Sequence, residues 1–272
     1  VNGQLTGSAN VKIDVSAPGT GPTTSISDNY INFGGFAFSS WAAPQVAGVL
    51  GVVRAHFPNY SAEQAMEQVR VTADRDIYLQ AGNGQWEGLY GTGVVNLFRA
   101  LTIQSPSIRM QDYETEDGNN NILQSGDTVE FVGTFRNLLQ PTSNLQITLQ
   151  PTNDAVNYVT MLSPTVLMGQ INTLSSKSNA NSPFRFVLND NVPENTVLTF
   201  RIGYVDGVYD DQQFFTLVIN PTYTDVNTAS INTSVNNIGN IGYNDYPNNN
   251  QGQGFLVNEN QQLFEAGVIL AT

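Results

Sequence analysis

The chain has 272 residues and a mass of 29.5 kDa, and its 10 Lys and Arg against 23 Asp and Glu give a net charge of −13. A chain this acidic lacks the basic surface that nucleic acids and anionic membranes require, so we expect neither as a partner. It contains no Cys and a single His, which excludes disulfides, thiol catalysis and metal sites built on several His side chains. No apolar run reaches the ~18 residues of a transmembrane helix, so we expect no membrane-spanning segment.

Both ends of the sequence suggest that it was cut from something longer. It opens on Val1-Asn2-Gly3, with neither a Met nor a charged and apolar leader, and it closes just after the apolar stretch at residues 263–270. We therefore expect the chain to be part of a longer polypeptide.

The first hundred residues mix strand and helix signals. Residues 11–15 alternate like a short strand. Residues 40–53 are apolar on nearly every side, which predicts a helix that is buried on all faces. Pro44 fits such a helix near its first turn, where the missing N–H costs little.

A second helix is predicted to begin at Ser61. Gln64 follows three residues later, which is the spacing of a capping box. The pattern of apolar residues predicts that Ala65, Met66 and Val69 face inward on this helix.

From about residue 106 onward the apolar residues recur with a period of two. Several short alternating runs are separated by polar turns, which is typical of an antiparallel sandwich of the immunoglobulin-like kind. These runs lie at residues 128–135, 145–149, 184–188, 197–202 and 214–219.

The sequence at residues 38–48, FSSWAAPQVAG, resembles the nucleophile motif of the subtilases, the subtilisin-like serine proteases, which is written G-T-S-x-A-A-P-x-V-A-G. Three further segments resemble family motifs in the family's order: IDVSAPG at 13–19, the stretch at 56–74, and GTGVVN at 91–96. The resemblance therefore covers residues 11–101 of the chain.

Ser40 is the candidate catalytic residue. The resemblance implies that its hydroxyl is the nucleophile and that its backbone N–H is one arm of an oxyanion hole. A serine in the first turn of a helix lies at the positive end of the helix dipole, which suits that chemistry. The alternative is that Ser39 and Ser40 are an N-cap pair, as most serines before an apolar helix are.

The chain does not contain a complete catalytic triad. Its one histidine, His56, lies sixteen residues after Ser40, which is about 24 Å along one helix, so His56 cannot take the proton of Ser40. In subtilases the triad Asp and His precede the segment present here. This chain alone is therefore not a competent enzyme, and the resemblance leaves two functions open.

The first function is a secreted subtilisin-like serine endopeptidase that hydrolyses peptide bonds, with the missing half supplied by a longer precursor or another chain. The second is a catalytically inactive subtilase-like subunit that serves as a binding or structural component of an extracellular assembly. Phe38-Ser39 replaces the family's Gly-Thr, and the bulk of Phe36, Phe38 and Trp41 either narrows the cleft or is ordinary packing beneath the loop.

The predicted fold class is α/β (a partial subtilisin-like domain) plus an all-β immunoglobulin-like sandwich. We place the C-terminal part of a subtilisin-like peptidase domain at 1–103, the sandwich at 104–221 and the start of a further β unit at 222–272. QSGDTV at 124–129 and FRN at 135–137 resemble immunoglobulin-like domains of secreted bacterial surface proteins.

That resemblance implies a bacterial protein that is secreted or held at the cell surface. The implied partners are a polypeptide substrate and another fragment of the same precursor or a partner in a surface complex.

No cofactor is expected, and the sequence does not identify a metal site. Calcium stays open, because oxygen ligands at alternating positions around a Gly suit that ion, although no calcium-loop spacing is met. The acidic residues concerned are Asp112, Glu114, Glu116, Asp117 and Asp127 around the asparagines at 119–121, and a second cluster of Asp206, Asp210 and Asp211.

Overall fold

The structure is a computed structural model. Several sequence expectations fall outside the residues that it describes, among them those for Phe36, for residues 1–12 and for most of the last thirty residues. It describes residues 13–20, 22–24, 30–32, 38–237, 240–242, 254–263 and 266–267.

Three α-helices occupy the first part of the described chain: α1 at Ser39–His56, α2 at Ala62–Val71 and α3 at Leu97–Thr102. None of the helices in the described ranges is both long and apolar enough to cross a membrane. Short 3₁₀ turns lie at Arg75–Leu79, Gly84–Trp86 and Asn153–Asn157.

Helix α2 begins at the predicted capping box. The backbone N–H of Gln64 donates to Ser61 Oγ at 3.1 Å, and the backbone N–H of Ser61 donates to Gln64 Oε1 at 3.0 Å. Two N–H groups that the helix itself cannot satisfy are thereby paired, which fixes where α2 starts.

Helix α1 is much more exposed than its sequence suggests. Val53 is its one buried residue, whereas the small residues Ala43, Ala47 and Gly51 are exposed. A β-carbon added at Gly51 would meet nothing within 4 Å. The prediction of a helix buried on all faces is therefore wrong for the described chain, because no second layer covers this side of α1.

Two antiparallel sheets form a sandwich in the middle of the chain. One sheet has the order β11-β10-β5-β7, and the other has the order β3-β4-β9-β6 with β8 also paired to β4. The strands are β3 Ile108–Glu116, β4 Thr128–Asn137, β5 Leu145–Pro151, β6 Val159–Ser163, β7 Thr165–Gly169, β8 Ser176–Ser178, β9 Phe184–Leu188, β10 Thr196–Asp206 and β11 Tyr209–Ile219.

The inner faces of these two sheets share one hydrophobic core. Residues alternate between buried and partly exposed along β4, as a strand with one face on a core requires. Phe131 of β4 lies against Phe184 of β9 in the same sheet, and Phe200 of β10 stacks on Phe215 of β11, with all four rings in or against the common core.

The remaining strands form two further sheets. Strands β1 (Pro22–Thr24) and β2 (Tyr30–Asn32) pair with each other. A six-stranded sheet follows the sandwich and has the order β16-β15-β13-β14-β17, with β12 paired to β13. Its strands are β12 Tyr223–Asn227, β13 Ile231–Asn236, β14 Asn240–Ile241, β15 Phe255–Val257, β16 Asn260–Leu263 and β17 Ala266–Gly267.

The predicted fold class, α/β (a partial subtilisin-like domain) plus an all-β immunoglobulin-like sandwich, is wrong. The chain is mostly β, with 40% of the described residues in strands and 21% in helices. An α/β fold needs helices packed on a parallel sheet. Here the helical part has instead one parallel bridge, between Ser16 and Val94, and one antiparallel bridge, between Asp74 and Val94.

Candidate functional site

Ser40 lies at the N-terminal end of α1. The helix cap is Phe38, so Ser39 and Ser40 are the first two helical residues, and the interpretation of these serines as an N-cap pair is wrong. The Ser40 side chain is exposed, and it makes no hydrogen bond to any described residue. Its backbone N–H is one of the first-turn donors that a helix cannot satisfy internally. The hydroxyl and this first-turn N–H are thus presented together.

Bulky and rigid residues flank Ser40 along the chain. Phe38 is 51% exposed, and its ring contacts that of Trp41 edge to face, with 5.8 Å between the ring centroids. Pro44 lies inside α1, in its second turn, and has no N–H to donate to the carbonyl of Ser40 four residues earlier. The backbone at Ser40 therefore lacks one of the usual helical hydrogen bonds.

His56 ends the same helix at the far side. It is exposed, and its ring contacts the ring of Phe57 at 4.6 Å. Because Ser40 and His56 lie at opposite ends of the continuous helix Ser39–His56, the structure keeps the serine and the only histidine apart.

A groove of about 360 Å³ separates α1 from α2. Apolar side chains from the two helices form most of its walls, and three charged side chains also border it. Ser40 is not among the lining residues. These residues are Asp14, Val15, Ala43, Val46, Ala47, Leu50, Met66, Glu67, Val69 and Arg70.

A buried ionic network joins α2 to the sandwich. The guanidinium of Arg70 donates to both carboxylate oxygens of Asp211 on β11, at 2.8 and 2.5 Å. It also donates to Glu67, one turn earlier on α2, at 2.8 Å. Side-chain exposure is 2% for Arg70, 4% for Asp211 and 10% for Glu67, so solvent screens these charges little.

Strand β3 completes the network on its other side. Arg109 donates to Glu67 Oε1 at 2.9 Å, and the Ser107 hydroxyl donates to Glu67 Oε2 at 2.5 Å. The hydroxyl of Tyr209 donates to Asp211 at 3.1 Å. Every buried carboxylate in the cluster thus has both a cationic partner and a neutral donor, as buried charges require.

The network perturbs the titration of its members. Burial alone would raise the pKa of Glu67, but the charges of Arg70 and Arg109, with hydrogen bonds from Arg70 and Ser107, lower it to about 2. Burial raises the pKa of Tyr209 well above its ordinary value, and the nearby Asp211 carboxylate adds to the increase. Glu67 is thus held ionised and Tyr209 neutral at neutral pH, so neither group is poised for proton transfer.

The turn at residues 88–93 requires three glycines. All three have a positive φ, at 82° for Gly88, 78° for Gly91 and 152° for Gly93. A β-carbon at Gly91 would lie 2.4 Å from the carbonyl oxygen of Asp14, and one at Gly88 would lie 2.2 Å from the ring of Phe214 in the sandwich. Gly88 therefore lets the turn approach the sandwich closely, and Gly91 lets it approach Asp14 within the helical part.

Several of the acidic residues considered for calcium have other partners. Asp211 pairs with Arg70, and Asp206 accepts from the backbone N–H groups of Ser143 and Asn144 at 2.8 and 2.7 Å. Hydrogen bonds from the backbone N–H of Asn119 and other loop amides lower the pKa of Asp117. Across the described ranges, no three His, Cys, Asp or Glu side chains are grouped so that they could hold a metal ion.

The sequence did not indicate the polar face of α2. Met66, expected inward, is 54% exposed, whereas Gln64, Glu67, Gln68 and Arg70 are buried. The available signal was the spacing of Glu67 and Arg70, because a Glu and an Arg three residues apart on a helix can pair.

A family model of the subtilases, "Peptidase_S8: Subtilase family", matches residues 2–93. A thermostable alkaline protease of Halalkalibacterium halodurans is 33% identical over 90 residues, which is 33% of this chain. The aligned region spans 22% of that protease's length.

Two solved structures align with 43% of this chain. One is a Niemann-Pick type C2 protein from the Japanese carpenter ant, with 7% sequence identity, 96% of that chain covered and a TM-score of 0.27. The other is BslA, a bacterial hydrophobin, with 16% sequence identity, 99% of that chain covered and a TM-score of 0.23. TM-scores this low do not inform the fold. In sequence, the first third of this chain is similar to subtilases.

Proposed function

We propose that residues 1–103 are the C-terminal part of a subtilisin-like serine endopeptidase and that Ser40 is its nucleophile. The observation that carries the proposal is the position of Ser40, in the first turn of α1 with an exposed side chain and a backbone N–H that the helix itself cannot satisfy. The subtilase match over residues 2–93 supports it. The sandwich at 104–221 and the β unit at 222–272 then accompany the peptidase part.

In the proposed reaction, the Ser40 oxygen attacks the carbonyl carbon of the scissile peptide bond. A histidine outside this chain accepts the hydroxyl proton, an aspartate orients that histidine, and the N–H of Ser40 donates to the oxyanion. The histidine then gives the proton to the leaving amine, and water hydrolyses the ester formed on Ser40. His56 takes no part, because it lies at the other end of α1.

The exposed side of α1 is where we place the missing part of this peptidase. An exposed helix face lined by small and apolar residues is suited to an interaction with another segment. Ala43, Ala47 and the neighbouring groove offer small and apolar contacts to a covering segment. We propose that the segment carrying the catalytic His and Asp packs there, supplied by the same precursor or by a partner chain.

We also propose that the protein works outside the cell or at the cell surface of a bacterium, on polypeptide substrates. The acidic and weakly charged composition suits an aqueous extracellular setting, and the complete lack of Cys leaves no thiol that oxidation could damage.

A second candidate function is an inactive subtilase-like subunit with a binding or structural role. The observation that favours it is Phe38, whose bulky and half-exposed side chain replaces a Gly of the family motif directly before the serine pair. Backbone that passes close to a substrate is best built from Gly, so a Phe at this point obstructs the approach.

Reaction with a fluorophosphonate separates the two functions. The longest natural polypeptide that contains this chain is treated with the reagent, and the adduct is mapped by mass spectrometry. For the endopeptidase we expect one adduct on Ser40, abolished by Ser40→Ala and retained by the matched control Ser39→Ala. A folded protein that forms no adduct contradicts the endopeptidase and supports the inactive subunit.

A further inference from the structure

We infer that Asp211, on strand β11 of the sandwich, is a positioning residue for helix α2, and that through α2 it fixes helix α1, which carries Ser40. The sandwich then serves as the support on which the helices are held. Only the catalytic meaning of this arrangement rests on the proposed function. The contact between α2 and Asp211 is seen directly, between described residues.

The two-point contact between Arg70 and Asp211 fixes a direction as well as a distance. Nη1 of Arg70 donates to Oδ1 at 2.8 Å and Nη2 donates to Oδ2 at 2.5 Å, so the two planar groups lie fork to fork. A single hydrogen bond permits rotation about its axis, whereas a paired one does not. Arg70 is the last residue but one of α2, so the contact orients the end of that helix.

Asp211 is itself held rigidly in the sandwich. It accepts from the hydroxyl of Tyr209 and from the backbone N–H of Gln212, at 3.1 and 2.8 Å. Its strand pairs with β10 over eleven consecutive residue pairs, in which Asp211 lies opposite Tyr204. The carboxylate is therefore a fixed point relative to the sandwich core.

Glu67 cannot take over this role. It neutralises Arg70 from within the same helix, at 2.8 Å, and its own contacts with Arg109 and Ser107 hold α2 one turn before Arg70. The first turn of α2 has its own contacts with the sandwich, from Gln64 Nε2 to the carbonyl of Leu138 at 3.0 Å and between Glu63 and Arg136 at 3.3 Å. Asp211 is thus the sandwich carboxylate that holds the Arg70 side chain in the last turn.

Movement of α2 is passed to α1 through a small shared core. Ala65 and Val69 of α2 form one buried cluster with Val53 of α1 and Ala100 of α3. Tightly packed side chains of this kind transmit displacement because they leave no room to absorb it. The carbonyl of Arg70 also accepts from Thr92 Oγ1 at 2.6 Å, which ties the same point to the glycine-rich turn.

Hydrogen–deuterium exchange of the 272-residue chain tests the inference. In Asp211→Asn, which keeps the size of the side chain and removes its charge, we expect the amides of residues 62–71 to exchange at least about tenfold faster. The amides of β4 and β9 should keep their wild-type rates. Asp210→Asn is the matched control, because Asp210 is the residue next to Asp211 and its carboxylate is 62% exposed. This substitution should leave the exchange of residues 62–71 and of β4 and β9 unchanged.

A double variant distinguishes positioning from general damage. Replacing a buried ion pair by apolar side chains of similar size is often neutral for stability. The double variant Arg70→Met with Asp211→Leu leaves Glu67 paired with Arg109, so it creates no unpaired buried charge. It should therefore restore slow exchange in residues 62–71. Unchanged exchange in Asp211→Asn would overturn the inference. An equal increase in α2, β4 and β9 would also overturn it, because it would show a loss of global stability.

A second readout concerns Ser40 in the longest natural polypeptide that contains this chain. In Asp211→Asn we expect the rate constant of fluorophosphonate attack on Ser40 to fall about tenfold while the half-saturating reagent concentration is unchanged. A wild-type protein that is not labelled at all contradicts the proposed function, and the exchange rates then still decide whether Asp211 positions α2.

Discussion

The side-chain amide of Gln213 forms hydrogen bonds with both backbone groups of Met110. Met110 N donates to Gln213 Oε1 at 3.1 Å, and Gln213 Nε2 donates to the carbonyl of Met110 at 3.2 Å. Met110 belongs to the edge strand β3, whose outer side would otherwise offer unpaired groups to another chain. The hydroxyl of Tyr209 likewise accepts from Ile108 N at 2.9 Å, so the opposite sheet closes this edge.

Replacing Gln213 by Leu should therefore destabilise the sandwich. The backbone carbonyl of Met110 loses its donor in a partly buried place, which costs about 1–3 kcal/mol of unfolding free energy. Urea unfolding followed by fluorescence measures the change. Gln212→Leu is the matched control, because the Gln212 side chain makes no hydrogen bond to a described residue. Equal effects of the two substitutions would contradict the role of Gln213.

Gly88→Ala should loosen the junction between the helical part and the sandwich. The new methyl group would lie 2.2 Å from the ring of Phe214, and φ at this position is +82°. We expect Gly88→Ala to lower the free energy of unfolding by about 1–3 kcal/mol more than Gly118→Ala does. Gly118 has a φ of +78° but nothing within 4 Å, so its substitution carries the backbone strain alone.

A compensating change at Phe214 checks the cause of that loss. Gly88→Ala combined with Phe214→Ala removes the clashing ring, so the additional penalty of Gly88→Ala should disappear when it is measured against Phe214→Ala alone. A penalty that persists in this background would mean that the backbone conformation at Gly88, and not the contact, determines the effect.

Glu67 should make the protein less stable in acid. Its pKa in the folded chain is about 2, below the ordinary value of 4.5, so its contribution is complete above pH 4.5 and is lost as the pH falls towards 2. This contribution amounts to about 3 kcal/mol at neutral pH, of which about 2 kcal/mol is lost by pH 3. Urea unfolding at neutral pH and at pH 3 measures this difference in unfolding free energy.

In Glu67→Gln, the decrease in unfolding free energy between neutral pH and pH 3 should be about 2 kcal/mol smaller than in the wild type, because the variant has no carboxylate at this position to take up the proton. Glu63→Gln, which changes a half-exposed carboxylate on the same helix, is the control and should behave as the wild type does. An unchanged acid dependence in Glu67→Gln would show that other groups cause the loss.

Residues 1–103 expressed alone should not unfold cooperatively. Arg70 would lose Asp211, and the exposed side of α1 would still lack a cover. Calorimetry on the fragment, with the 272-residue chain as the positive control, measures this directly. A sharp heat-absorption peak from the fragment would contradict the prediction.

His56→Ala should leave the reaction of Ser40 with fluorophosphonate unchanged. Both residues lie on α1 at opposite ends, so the imidazole cannot reach the hydroxyl. The rate of labelling in the longest natural polypeptide, compared between the variant and the wild type, is the measurement. A rate that falls by tenfold or more would mean that His56 takes part in the reaction and would contradict the prediction.

The local patterns of the sequence predicted the regular elements well where apolar residues decide the structure. The apolar run at 40–53 lies within α1 at Ser39–His56, and the alternation at 128–135 lies within β4 at Thr128–Asn137. These patterns work because a helix and a strand present side chains with different periods. They do not show what covers an element, so the exposure of α1 was not predictable.

The buried polar face of α2 could not be predicted for a different reason. Arg70 is buried because Asp211 neutralises it from 141 residues away, and Gln68 is buried because the carbonyls of Ala100 and Ile103 accept from it. No local pattern contains those partners. Asp211 itself was grouped with Asp206 and Asp210 as a possible calcium cluster, since a sequence cannot show that a cation is already provided by the protein.

The separation between Arg70 and Asp211 along the chain also imposes an order on folding during synthesis. A chain emerging from the ribosome exposes α2 long before β11 exists, so the guanidinium has to stay hydrated until the sandwich has been made. Helix α2, and with it helix α1 that carries Ser40, can therefore reach its final packing only late. During synthesis this delay keeps the proposed nucleophile from being assembled while the chain is still incomplete.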